Sequence, residues 1–143
     1  LFPLLLLLLV IGCVSGQTET PCGIWMGQLK LPNGKLRIVY CIEKQNDSLT
    51  AVLDSPDQYA RDIPVQRLYF RNDSIRLKSE SIGAQFKGHY DSTCDCFIGK
   101  FVQNGSFPLR LERIAERITW KRPQQPQPPF PYTEESIIFK SNL

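Results

Sequence analysis

Little in this chain could run acid–base or metal chemistry. It has one histidine, His89, whose neighbours on the outward side of an alternating run are only Gln85 and Lys87, so the sequence offers this imidazole no partner. Its cysteines never fall in the C-x2-C knuckle that structural zinc sites use, and neither a metal nor a cofactor is expected. Basic blocks are missing too. The 17 Lys and Arg are interspersed with 14 Asp and Glu for a formal charge of +3, which argues against a nucleic-acid partner, whose footprint needs a basic stripe with interleaved aromatics. Between Cys22 and Ile114 no useful length shows the ~3.6-residue period of an amphipathic helix. The apolar run from Leu4 to Gly12 is too short to span a bilayer as a helix.

That run, followed by Val14, Ser15 and Gly16, instead reads as the apolar region of an export leader covering residues 1–16. A second cleavage reading places the cut before Cys13, because Val10-Ile11-Gly12-Cys13 resembles a bacterial lipoprotein box. Cys13 would then carry lipid, and only then is a membrane a partner. Either way the expected destination is periplasmic or extracellular. In such an oxidising compartment Cys22, Cys41, Cys94 and Cys96 permit two bridges whose pairing is open. On a strand Cys94 and Cys96 share a face, so each could reach a separate partner.

What the chain does have is alternation. Trp25, Gly27, Leu29 and Leu31 fall on one face of the first run, and Leu36, Ile38, Tyr40 and Ile42 on one face of the second, with Val39 an apolar exception on the other. Leu49, Ala51 and Leu53 continue the pattern, and Asp54-Ser55-Pro56-Asp57 ends that strand because proline cannot donate to a ladder. After a loop to about Arg61, Val65, Leu68 and Phe70 slip phase, which suggests a bulge. Further inward sets are Ile75 and Leu77, then Ala84, Phe86, Gly88 and Tyr90, then Phe97, Gly99 and Phe101, then Phe107, Leu109 and Leu111. Turns punctuate them at Asn33-Gly34, expected as the centre of a type I′ hairpin, and at Asn46-Asp47, Asn72-Asp73 and Asn104-Gly105. The expectation is an all-β fold for residues 17–114: an antiparallel meander of about eight strands closed into a small barrel. Inward glycines at 27, 88 and 99 suit such a barrel, where a strand bends sharply or another group approaches closely.

Gly23-Ile24-Trp25 resembles the G-x-W opening of lipocalin-type barrels, where the tryptophan closes one end against a basic residue of the last strand. Arg110 or Arg113 could serve. That resemblance implies a pocket for a small apolar ligand lined by Trp25, Gly27, Phe86, Gly88, Tyr90, Phe97, Gly99 and Phe101. The same aromatic rings could also fill it.

Residues 115–136 form a proline-rich linker, with Pro123, Pro126, Pro128, Pro129 and Pro131 favouring an extended polyproline form of ~3.1 Å per residue. Residues 137–143 are β-prone and too few for a core, and they read as the first strand of a further domain.

A resemblance covers most of the chain. The ordered phrases GIWMGQLKLPNGKLRIVYCIEK, SLTAVLDSPDQ, IPVQRLYFRNDSIRL, FKGHYD, FIGKFVQNGSFPLRLER and RPQQPQPPFPYTEESIIF resemble the N-terminal region of exported α/β-hydrolases of Bacteroidetes type. There a β-rich accessory domain and a proline-rich spacer precede a serine hydrolase of esterase or peptidase class. The resemblance implies a non-catalytic accessory domain whose partner is a C-terminal hydrolase domain in the same polypeptide. No G-x-S-x-G elbow occurs here, so no catalytic residue carries over and the chain itself is not expected to be an enzyme. The alternatives are an independent lipocalin-like binder and a structural or surface-interaction module.

Overall fold

Side chains that alternate apolar and polar specify strands with one face turned to a core, and here they form one antiparallel sheet. The computed structural model describes residues 20–120; the leader, Cys13, most of the linker and the strand expected at 137–143 lie outside the described residues. Nine strands follow in order: β1 (Gly23–Leu31), β2 (Gly34–Gln45), β3 (Ser48–Ser55), β4 (Ala60–Pro64), β5 (Arg67–Arg71), β6 (Ser74–Ser79), β7 (Ala84–Asp91), β8 (Cys96–Val102) and β9 (Ser106–Ile114). Their order across the sheet is β4-β3-β2-β1-β9-β8-β7-β6-β5. Each strand thus pairs with its neighbours in sequence, except that β4 and β5 stand at the two edges, and β1 pairs with β9 at the join of the two ends. Only two single helical turns, Pro56–Gln58 and Glu80–Ile82, interrupt the strands, and no described helix is long and apolar enough to cross a membrane. The fold is all-β, a single sheet curled into a half-barrel.

Burial follows the alternation. Trp25, Leu29, Ile38, Tyr40, Ile42, Leu53, Ile75, Leu77, Phe86, Phe97, Phe101, Leu109 and Leu111 pack as one buried cluster on the concave side. Removing a buried side chain of this kind from water contributes about 1.5–3 kcal/mol, so the inner face is what holds the curl.

Three local expectations change. First, the run from Ala60 to Arg71 is two strands, not one bulged strand: Pro64 has no donor and ends β4, and β5 begins at Arg67. Consequently the ring is open at one seam. β4 and β5 are successive in the chain yet do not pair; just past β4, Val65 N–H still donates to the Ala51 carbonyl of β3 at 3.1 Å. Arg61, Asp62, Arg67 and Arg71 lie on these two edge strands and, with Pro64, blunt them against pairing with another chain. Second, the β1–β2 hairpin turns on Pro32-Asn33, since Leu31 pairs with Gly34; proline's fixed φ suits the first turn position, and Gly34 takes φ +144° beyond it. Asn46-Asp47 and Asn72-Asp73 do adopt positive φ at both central positions, as a type I′ turn requires. Third, Cys94 and Cys96 bond to each other rather than to separate partners, leaving Cys22 and Cys41 unbonded.

Candidate functional site

The residues expected to line a pocket are mostly core. Trp25, Phe86, Phe97 and Phe101 are buried, with the Trp25 and Phe97 ring centroids 4.6 Å apart in an edge-on contact. The three glycines are sites of close approach. A methyl at Gly27 would meet the Arg110 carbonyl oxygen at 2.5 Å, and one at Gly88 the Ile98 carbonyl oxygen at 2.8 Å. At Gly99, which faces Gly88 directly across β7 and β8, it would collide with the Lys87 carbonyl oxygen. Backbone, not open space, stands opposite these missing side chains.

Tyr90 belongs to a network that closes one end of the half-barrel. Of the two arginines on β9, Arg113 takes the place over Trp25, its guanidinium carbon 4.2 Å from the ring centroid. It donates to the Cys22 carbonyl at 2.7 Å and to Asp95 at 2.8 Å, while the Tyr90 hydroxyl donates to the same carboxylate at 2.8 Å. Trp25 Nε1–H donates to the Pro21 carbonyl at 2.9 Å. The Cys94–Cys96 bond brackets Asp95, which has φ +47°, and so holds the carboxylate that organises the cap.

A second arginine clamps the chain after β9 to the outer face. That face is unusual for being apolar where water would be expected: Ile114, Ile24, Cys41, Val52 and Pro64 are consecutive partners across β9, β1, β2, β3 and β4. Beside them Asp54 is 1 % exposed. Arg117 meets it with two parallel bonds, Nε–H to Oδ2 and Nη2–H to Oδ1, each 2.6 Å, and Nη2 reaches Asp62 Oδ1 at 2.6 Å. Asp62 holds φ +58° while its own N–H donates to Asp54 at 2.9 Å. One guanidinium thereby satisfies a buried carboxylate and locks a strained residue of β4. Arg61 lies over the ring of Trp120, 6.0 Å from its centroid, at the last described residue. A groove of about 470 Å³ remains beside the clamp, lined in part by Ile24, Cys41, Thr50, Val52 and Arg117. Burial pushes the Cys41 thiol up, so it is not a reactive thiolate.

Arginine also ties Asp57 to β2, donating to it from Arg37 Nη2 at 2.7 Å and from the Arg37 backbone N–H at 2.7 Å. Hydrogen bonds from Arg37, Arg113 and Arg117 respectively hold Asp57, Asp95 and Asp62 below the ordinary 3.8, and Thr93 does the same for Asp91. A carboxyl whose folded pKa is depressed adds stability above its unfolded value and loses it as pH falls through the folded one. The melting temperature is therefore expected to be flat above about pH 5 and to fall steadily as pH drops below about 4, read by circular dichroism melts; the exposure of these pairs keeps the loss modest.

The third feature lies on the outer face of β5 to β9. Tyr69, Arg76, Lys87, Lys100 and Pro108 are consecutive cross-strand partners, an unbroken row in which three cations stand directly opposite one another. Among the described residues none of the three has an ion-pair partner. By contrast Glu80 pairs with Arg67 and Lys78, and Glu112 with Arg110. Like charges directly opposite destabilise a sheet by a few tenths to about 1 kcal/mol per pair. The row was hidden in sequence because its members are 11 and 13 residues apart by number (87 − 76 and 100 − 87), and only the register brings them side by side. His89 sits exposed one row away, between Ser74 and Ile98, and among the described residues no hydrogen bond joins its imidazole to the Ser74 hydroxyl.

Among the described residues no group of histidine, cysteine and carboxylate side chains could hold a metal ion. Comparison with family models, with curated proteins and with solved structures finds no match for this chain.

Proposed function

We propose that this chain is the non-catalytic accessory domain of an exported serine hydrolase of the α/β class, working beside a catalytic domain in the same polypeptide. The observation that carries the reading is the Arg117 clamp. It fastens the chain to the half-barrel three residues before Trp120, at the threshold of the proline-rich stretch, so the linker leaves from a fixed point instead of swinging from a free end. A stiff linker with a fixed origin sets the separation and direction of whatever follows it. The reading of a small apolar ligand inside the barrel has less support, because Trp25, Phe86, Phe97 and Phe101 pack on their neighbours in the core.

The test has two arms. The full chain is expected to give no turnover of an activated ester above background, and turnover abolished by His89→Ala overturns the reading. Sequencing the gene beyond Leu143 is expected to reveal a G-x-S-x-G elbow in frame; a stop codon in the intact gene also overturns it.

A further inference from the structure

A row of three cations with no ion-pair partner among the described residues, set side by side by the hydrogen-bond register, costs the fold something. We propose that the outer face of β5 to β8 binds an acidic polysaccharide, with one sugar in the depression beside Tyr69 and successive carboxylates on Arg76, Lys87 and Lys100. The inference rests on this face alone and is independent of the accessory-domain reading.

Three observations converge on a sugar acid. Neighbouring strands lie ~4.8 Å apart, so the cationic groups repeat on the length of a single sugar ring, one charge per unit. At the β5 end of the row lies a depression of about 650 Å³ whose lining includes Gln66, Arg67, Tyr69, Arg76 and Gln85. Amide side chains that donate and accept, beside an aromatic ring that is 51 % exposed, are the groups that grip ring hydroxyls and cover a sugar face. The chemistry also discriminates against other polyanions. A single-stranded nucleic acid is held by several stacking rings along its track, whereas Tyr69 is the only aromatic residue in this row. A lipid surface would have no use for a depression lined by amides.

Binding of an oligogalacturonide of defined length to the full chain, measured by isothermal titration at low and high salt, tests this. The expected result is saturable binding that weakens steeply with salt. Lys87→Glu, which sets a negative charge in the middle of the row, should weaken it at least about tenfold, and Tyr69→Ala should weaken it while retaining the salt dependence. Lys44→Glu, on β2, should bind as the parent does. Melting curves of each variant separate lost binding from lost fold, and Lys87→Gln supplies a milder replacement should the glutamate variant fail to fold. Binding of single-stranded DNA or of anionic lipid vesicles without binding of the oligogalacturonide overturns the proposal. So does unchanged affinity in folded Lys87→Glu, or equal affinity for an uncharged glucan.

Discussion

Replacing Arg117 with methionine lowers the stability of the domain by about 3 kcal/mol, the low end of the cost of stripping a buried carboxylate of its partner. Methionine keeps much of the stem that covers the outer face, so the loss reports the guanidinium and not the packing. Asp54 is the reason the number is large: at 1 % exposed it has no water to turn to, and the Asp62 N–H is its remaining described donor. For a domain of this size the melting temperature should fall by roughly 10–20 °C, measured by calorimetry. Asp62→Asn is the matched control. Asp62 is 63 % exposed at its side chain, so the same experiment there should move the melting temperature far less.

Gly99→Ala is expected to destabilise by about 3 kcal/mol or more, the upper range for overpacking. Added methyl groups are tolerated where a flexible side chain can yield, but here the obstacles are the Lys87 carbonyl oxygen and the Gly88 Cα at 2.5 Å, both backbone of the adjacent strand. Relief requires β7 and β8 to part, which breaks their ladder next to Phe86 and Phe97. Gly105→Ala makes a useful contrast. Its penalty comes from φ +149° and a Phe107 ring 3.2 Å away that can rotate, so chemical denaturation should rank it well above Gly99→Ala in stability.

The inner face was legible in the residues. From Trp25 to Leu111 the alternating apolar positions are the ones that pack, because period-2 patterning is a direct print of the pleat. Ile63 was missed, since Arg61-Asp62-Ile63-Pro64 has neither alternation nor an uninterrupted donor row, and its strand exists only by pairing with β3. The Cys94–Cys96 bond was likewise out of reach: shared strand parity holds only if both residues are in the strand, and Cys94 stands in the turn before Cys96 begins β8. On the outer face Val39 and Cys41 gave a clue that went half read. Apolar residues on the water side of a strand need a cover, and the carboxylate beside them, Asp54, needs a cation; Arg117 was 63 residues away and nothing local pointed to it. Charge composition misled in the same way, because an even mixture along the chain became a segregated row once strands were laid side by side.

The pairing of β1 with β9 ties the first described strand to the last described one. A nascent chain can zip its hairpins one after another, yet Trp25 has no lid and the two ends of the meander have no bond until Arg113 and its strand emerge. Completion therefore waits on the longest loop closure in the domain, which makes folding slow for its length.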